Sequence, residues 1–163
     1  MDDIQLALFN PEIPQNTGNI ARLSAGFLVP LHIVGEAKFS MTEKALRRSG
    51  VDYWHLVDLT HQASVWHLLD STPGKRVVPV TTRGKTPLAQ YKFEEGDILA
   101  FGNESSGLPA EIHRDFGAHS CRIEQWGDIR SLNLATAVGI VLWEALRQLR
   151  TEPDSESGVD SRE

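Results

Sequence analysis

The chain has 163 residues, a single cysteine and a formal net charge of −6, with 40% hydrophobic and 23% charged residues. This length supports one domain with its own core, and the composition is that of an ordinary globular protein. The sequence lacks an apolar run of about 18 residues, so no transmembrane helix is expected, and the negative charge argues against a strongly basic nucleic-acid-binding protein.

The N-terminal part of the chain begins with a predicted strand and helix. Alternating apolar residues over 4–8 indicate the strand. A helix is expected over 17–26, with Asn16 or Thr17 as its cap. The capping box Ser40-Met41-Thr42-Glu43 predicts a second helix that ends at Gly50.

The remaining elements continue this alternation. Pro79 lies inside one predicted strand and favours an edge or irregular position for it. Strands that alternate with helices indicate an α/β fold, with a mostly parallel sheet and helices on both faces. The strands are expected over 31–34, 54–57, 76–81, 97–101 and 120–123, and the helices over 63–69, 109–116 and 132–149.

The uneven distribution of charge suggests one domain over 1–150 followed by an acidic tail over 151–163. The tail has five acidic residues and one arginine, and its composition predicts disorder.

The lone Cys121 rules out an internal disulfide and fits a reducing cytoplasm. The acidic start Met1-Asp2-Asp3 lacks the basic region of a signal peptide. A cytoplasmic protein is therefore expected.

Several common catalytic patterns are missing. No Gly-x-Gly-x-x-Gly follows the first strand, and the loop from Gly102 to Gly107 lacks the Lys-Ser/Thr of a phosphate-binding loop. The histidines show no zinc-binding spacing, so no metal is expected. Cys121 has only Arg122 as an activating neighbour, and a buried, unreactive thiol is the better interpretation.

Three loop segments carry the functional signal. Phe101-Gly102-Asn103-Glu104-Ser105-Ser106-Gly107-Leu108-Pro109 follows an apolar strand, and Arg130-Ser131-Leu132-Asn133-Leu134-Ala135-Thr136-Ala137-Val138 runs into the last helix. The third is Asn10-Pro11-Glu12-Ile13-Pro14-Gln15-Asn16-Thr17-Gly18-Asn19-Ile20-Ala21-Arg22. Each one alone reads as an ordinary turn. Together they resemble the SPOUT superfamily of RNA methyltransferases, and segments 46–53 and 143–149 resemble its short TrmL branch, which methylates the ribose 2′-oxygen of the tRNA wobble nucleotide.

The resemblance implies a fold, a cofactor and a partner. The fold would include a C-terminal trefoil knot, which general topology rules would not suggest. The cofactor would be S-adenosylmethionine, the substrate tRNA at its anticodon stem-loop, and the enzyme a homodimer with the first and last helices in the interface. By this resemblance the cofactor would be held by Val80, Thr81, Phe101, Gly102, Asn103, Glu104, Gly107, Leu108, Ile123, Ser131, Leu132 and Asn133.

The resemblance also assigns catalytic and substrate-binding roles. Arg22 closes the family's Asn-x-x-x-x-x-Arg motif, which begins at Asn16, and is the expected catalytic residue. Because arginine stays protonated, orienting the target phosphate and stabilising the developing alkoxide is favoured over acting as a base. Asn16 and Arg130 are further substrate-binding candidates, although Asn16 as a helix cap and Arg130 in a structural salt bridge remain alternatives.

Two alternatives to wobble methylation stay open. The acceptor would be another nucleotide of tRNA or ribosomal RNA, or the protein would bind RNA without catalysis. The segment Glu124-Gln125-Trp126-Gly127-Asp128-Ile129 departs from the proline and aliphatic residues typical of relatives. Trp126 would then either stack on a flipped base or pack beneath the loop.

Overall fold

The structure, a computed structural model, describes residues 4–48 and 52–150. These residues form a seven-stranded sheet with α-helices packed against it. The strands are β1 (Gln5–Phe9), β2 (Leu31–Val34), β3 (Leu59–Gln62), β4 (Val77–Val80), β5 (Thr86–Pro87), β6 (Ile98–Phe101) and β7 (Cys121–Arg122). The helices are α1 (Pro14–Phe27), α2 (Glu43–Arg48), α3 (Val65–Ser71), α4 (Ala110–Phe116) and α5 (Leu134–Leu149). None of the helices in the described ranges is long and apolar enough to span a membrane.

The sheet has the order β3-β2-β1-β6-β4-β7-β5, and each of its strand pairings is parallel. Successive side chains of β1 enter two different cores, as the period of a strand requires. Leu6 and Leu8 face the core covered by α1 and α5, whereas Ala7 and Phe9 face the core that contains residues of α3 and α4. The predicted α/β class is confirmed.

The strand predicted over 54–57 is wrong. Residues Trp54–Leu56 form a single 3₁₀ turn, and the strand in this region is β3, which begins at Leu59. The Leu31 N–H donates to the carbonyl of Asp58, which fixes the register of β3 beside β2. Residues 54–57 contain Trp54, Leu56 and Val57, whereas β3 has Leu59 as its one apolar residue, so the hydrophobic pattern favoured the wrong segment.

The cap predicted for the first helix is also wrong. Helix α1 begins at Pro14, and its cap residue Ile13 makes no side-chain hydrogen bond, so Asn16 and Thr17 lie inside the helix. Proline is favoured in the first turn because its missing N–H would have no partner there. The distant Glu104 instead satisfies the N–H groups of Glu12 and Ile13. A long-range contact of this kind leaves no local signal in the sequence.

Pro79 lies in β4, an interior strand, and not at an edge of the sheet. The Thr81 N–H donates to the Cys121 carbonyl of β7, and residues two apart in a strand point to the same side. The backbone nitrogen of Pro79, which has no hydrogen to donate, therefore points toward β7. Strand β7 pairs with β4 only at Val80. The proline breaks no hydrogen bond of the sheet, which is why an interior position accommodates it.

Most other predicted boundaries agree with the structure within two residues. The short strand β5 was not predicted, and the stop expected at Gly50 lies outside the described residues, as does the tail over 151–163. The trefoil knot and the division at residue 150 stay predictions.

Cys121 is fully buried in β7, as the sequence indicated. Burial raises the pKa of its thiol to about 12, and the neighbouring Arg122 offsets this only in part. Because the thiolate is the reactive form, we expect the native protein at pH 8 to resist a thiol-reactive disulfide reagent and to react fully once unfolded in urea. Equal labelling rates for the folded and unfolded protein would contradict this environment.

Candidate functional site

A cavity of about 650 Å³ lies where the carboxyl ends of β1, β4, β6 and β7 meet. Its volume falls within the range of about 300–1,000 Å³ usual for small-molecule sites. In open α/β sheets ligands bind at this edge, where the strand order changes direction. The residues expected to hold the cofactor all line it: Val80, Thr81, Phe101, Gly102, Asn103, Glu104, Gly107, Leu108, Ile123, Ser131, Leu132 and Asn133.

The loop after β6 is closed tightly on itself. The backbones of Asn103 and Gly107 exchange two hydrogen bonds of 3.3 Å, and the Asn103 side chain accepts a bond of 2.8 Å from the Ser106 N–H. A Cβ on Gly102 would lie 2.0 Å from the carbonyl carbon of Gly107 and 2.2 Å from the nitrogen of Leu108. Only glycine permits this approach, so Gly102 sets the shape of the loop.

Glu104 ties this loop to the start of α1. Its carboxylate accepts hydrogen bonds from the N–H groups of Glu12 at 3.0 Å and Ile13 at 3.1 Å, and from the Asn16 amide at 3.2 Å. A negative group at the N-terminal end of a helix is favoured by the helix dipole. Glu104 thus lines the cavity with both oxygens already bonded to protein groups, and its geometry supports a role in holding the loop.

A second contact attaches the loop to Glu12, just before the same helix. The Ser105 hydroxyl donates to the Glu12 carboxylate at 2.6 Å, and the Lys38 ammonium lies 3.1 Å from the same oxygen. These two donors, with Ser105 the larger cause, lower the pKa of Glu12. The carboxylate therefore remains charged and bonded at neutral pH.

The third segment joins the network through Asn133. The Asn133 amide donates to the Asn16 side-chain oxygen at 3.1 Å, while its own oxygen caps α5 by accepting from the Thr136 N–H at 3.2 Å. Glu104, Asn16 and Asn133 form one continuous chain of hydrogen bonds. All three segments that carried the functional signal are thereby fixed relative to one another before any ligand binds.

Replacing Glu104 by glutamine should loosen this network. The neutral amide is a weaker acceptor and turns an NH₂ group toward existing donors, so we expect the free energy of unfolding to fall by about 1–3 kcal/mol. Thermal unfolding measures the loss. Glu95→Gln is the matched control, because Glu95 is exposed and away from the cavity. Equal unfolding temperatures for the two variants would contradict the proposed role of Glu104.

The cavity has an apolar wall and a polar rim. The wall comes from the ends of three strands and from the segment before α5: Val80, Phe101, Leu108, Ile123 and Leu132. Two cationic residues, Arg83 and Arg130, lie on the rim. Arg130 is exposed, and within the described ranges no carboxylate pairs with it, which removes the support for a structural salt bridge there. The arrangement fits a flat apolar group inside and negative charge outside.

Sequence reasoning did not assign two residues of the cavity to the site: Arg83 and His113. Arg83 closely follows Thr81, and its proximity to a predicted strand end is the signal that could have identified it. The Gln125 Oε1 atom is buried without a hydrogen-bond partner among the described residues. A buried acceptor without a partner is costly, so it fits a site in which a ligand supplies the donor.

Arg22 does not line the cavity of its own chain. It is exposed on α1, and its guanidinium carbon lies 5.0 Å from the centre of the Tyr53 ring. The Tyr53 hydroxyl donates to the Gly18 carbonyl at 2.8 Å, which fixes the ring against α1. No acidic side chain pairs with Arg22 within the described ranges. Arg22 is therefore not held in a surface ion pair with any described residue.

The same ranges contain no group of three or more histidine, cysteine, aspartate or glutamate residues arranged to hold a metal ion.

Comparison with known proteins identifies the class. The sequence profile of the SpoU rRNA Methylase family matches residues 3–143, and the chain belongs to this family. It is 40% identical over 152 residues to a tRNA (cytidine(34)-2'-O)-methyltransferase of Yersinia pestis, covering 90% of this chain and 94% of the relative. The family expected from the three segments is confirmed.

Solved structures agree with this assignment. One, described as giving structural insights into the 2-OH methylation of C/U34 on tRNA, superposes with a TM-score of 0.84 at 44% identity, over 91% of this chain and 97% of that one. An AdoMet-bound rRNA methyltransferase from Sinorhizobium meliloti superposes with a TM-score of 0.77 at 28% identity, over 91% of this chain but 57% of that one.

Proposed function

We propose that this chain transfers a methyl group from S-adenosylmethionine to the ribose 2′-hydroxyl of nucleotide 34, the wobble position, of tRNA. The observation that carries the proposal is the convergence of all three motif segments on one cavity. The near full-length match to relatives named for this reaction supports it.

The cavity residues fit the cofactor. When bound, S-adenosylmethionine supplies an activated methyl group, so the protein needs mainly to bind and align. The closed loop at Gly102 would present backbone groups to the adenosine, and the apolar side chains of Leu108, Ile123 and Leu132 would hold its adenine. The unpaired Gln125 oxygen offers an acceptor for a donor of the cofactor or the substrate.

The acceptor hydroxyl needs alignment and charge stabilisation. A ribose hydroxyl becomes nucleophilic as it loses its proton, and a nearby cation stabilises the developing charge. Arg22 is the proposed cation, with Asn16 and Arg130 as further substrate contacts. Arg22 lies six residues after Asn16, about 9 Å along the helix, and outside the cavity of its own chain. The RNA or a second subunit must therefore bring Arg22 and the reacting atoms together.

A homodimer through α1 and α5 supplies such a second subunit. These helices pack against each other, and their outer surfaces carry the exposed apolar residues Leu28, Ile140 and Trp143, with exposed fractions of 80%, 39% and 59%. Trp143 contacts Phe27 with ring centres 6.1 Å apart, so the two helices form one continuous apolar face. The cytoplasm is the proposed location, since it holds both tRNA and the cofactor.

A ribosomal RNA target is the second candidate. The family name and the Sinorhizobium meliloti structure favour it. The chain spans only 57% of that rRNA enzyme but 94% of the tRNA enzyme of Yersinia pestis. The identity to the tRNA enzyme, 40% against 28% for the rRNA enzyme, favours tRNA.

Methyl incorporation into separate RNA pools tests the proposal. Labelled S-adenosylmethionine is supplied with total tRNA lacking the wobble methyl group, with the same tRNA carrying it, or with ribosomal RNA. We expect incorporation into the first pool alone. Incorporation into ribosomal RNA alone would select the second candidate, and cofactor binding without any incorporation would select a non-catalytic RNA-binding role.

A further inference from the structure

The segment between β7 and α5 carries an exposed tryptophan that the proposed reaction does not yet use. Trp126 is 91% exposed and the nearby Ile129 is 61% exposed. No aromatic ring stacks on Trp126 within the described part of the chain. A tryptophan packed beneath the loop would be buried, so the structure rules out that interpretation. Two large apolar side chains exposed within four residues of each other favour a binding surface where they also lie beside a cavity.

The position of Trp126 is set by its neighbours. Gln125 on one side and Arg130 on the other both line the cavity, which places the short stretch between them at its mouth. The buried, unpaired oxygen of Gln125 is a separate sign that this segment is shaped around something absent from the protein itself. Trp126 is therefore adjacent to the site and outside its apolar wall.

We propose that Trp126 stacks on a nucleobase of the RNA substrate beside the nucleotide whose ribose enters the cavity. Tryptophan rings next to cationic side chains are the usual platform for unpaired bases. Arg83 and Arg130 supply cations at the cavity, whereas Glu124 and Asp128, which flank Trp126 in sequence, do not line it. The proposal rests on the proposed function and adds a residue that binds the substrate.

A nucleobase is favoured over a second copy of the chain as the occupant. The apolar surface proposed for the dimer lies on α1 and α5, at Leu28, Ile140 and Trp143. Trp126 belongs to neither helix and is placed by the cavity, where the RNA must come in order to react. Its stacking would hold the neighbouring nucleotide and so fix the position of the reactive ribose.

The test uses the full chain with Trp126→Ala and Trp126→Phe, and Trp66→Phe as the matched control. Trp66 is also exposed, at 52%, but lies on α3 away from the cavity. For Trp126→Ala we expect the KM for tRNA to rise about tenfold, as loss of one stacked base implies, with the S-adenosylmethionine Kd unchanged. Trp126→Phe should recover most of the affinity and Trp66→Phe should behave as wild type.

A fluorescence titration gives a reading that does not need turnover. An anticodon stem-loop RNA should quench the indole emission of the wild type and of Trp66→Phe, but quench Trp126→Phe much less. A KM for Trp126→Ala within twofold of wild type, or equal quenching in all variants, would overturn the proposal. So would dissociation of the dimer by Trp126→Ala, which would assign the ring to the subunit interface. Quenching through Trp126 without methyl transfer would instead overturn the proposed reaction and keep the stacking site.

Discussion

Replacing Gly102 by valine is expected to weaken S-adenosylmethionine binding by about a hundredfold or more, equivalent to about 3 kcal/mol. The first side-chain carbon alone would lie 2.0 Å from the Gly107 backbone, so the loop cannot keep its closed shape. Overpacking of this kind shifts the backbone and does not merely move a side chain. Titration calorimetry of the purified variant measures the loss, and thermal unfolding shows whether the protein is folded.

Gly117→Ala is the matched control for this change. Gly117 has a φ of −60° and no atom within 4 Å of an added Cβ, so alanine should leave folding and binding intact. If Gly102→Val does not fold, Ile123→Trp is the second variant. It fills the cavity from the β7 side, leaves the sequence of the loop after β6 unchanged and should also prevent cofactor binding. Normal affinity in a folded Gly102→Val or Ile123→Trp protein would show that the cofactor binds elsewhere.

Arg22→Ala is expected to lower kcat by about 10²–10³-fold, the usual effect of removing one group that stabilises developing charge. S-adenosylmethionine affinity should not change, because Arg22 does not line the cavity. Single-turnover methyl transfer with saturating cofactor separates the chemical step from binding. Arg22→Lys should recover only part of the rate, since lysine keeps the charge but not the planar, forked geometry of arginine.

Mixed dimers decide which cavity Arg22 serves. A dimer of one Arg22→Ala subunit and one Gly102→Val subunit has a single intact arginine and a single intact cavity, on different chains. Recovery of activity on mixing would place Arg22 at the site of the partner. No recovery, with mixed dimers shown to form, would place it at its own site through the bound RNA. An unchanged kcat for Arg22→Ala would remove the catalytic role altogether.

The sequence predicted which residues line the cavity better than it predicted the hydrogen bonds between them. The family resemblance implied Val80, Gly102 and Ile123 as cofactor contacts, and all three line one cavity because the loops after parallel strands lie at the same edge of the sheet. The hydrogen bonds that Glu104 accepts at and before the start of α1 join residues 88 or more positions apart. Such pairings depend on the packed fold, which is why Asn16 was mistaken for a cap.

Local sequence pattern also led to wrong predictions where a segment contains residues that fit more than one structure. The 54–57 segment has strand-forming residues but forms a turn, because the hydrogen bond of Leu31 with Asp58 starts β3 later. Pro79 favoured an edge or irregular position for its strand. Strand β4 is nevertheless interior, because the neighbouring β7 is only two residues long and forms no hydrogen bond that Pro79 would break. The exposure of Trp126 decides between stacking on a base and packing beneath the loop. This exposure depends on the folded loop and is not encoded in the residues next to Trp126 in sequence.

Methyl transfer to a defined anticodon stem-loop tests the central claim most directly. Two RNAs are compared, one fully ribose and one with a single 2′-deoxy substitution at nucleotide 34, each with labelled S-adenosylmethionine and the wild-type protein. We predict a 2′-O-methylated nucleoside at nucleotide 34 of the first RNA and no incorporation into the second. Equal incorporation into both RNAs, or a methyl group mapped to another nucleotide or to a base, would contradict the assignment of the wobble ribose as the acceptor.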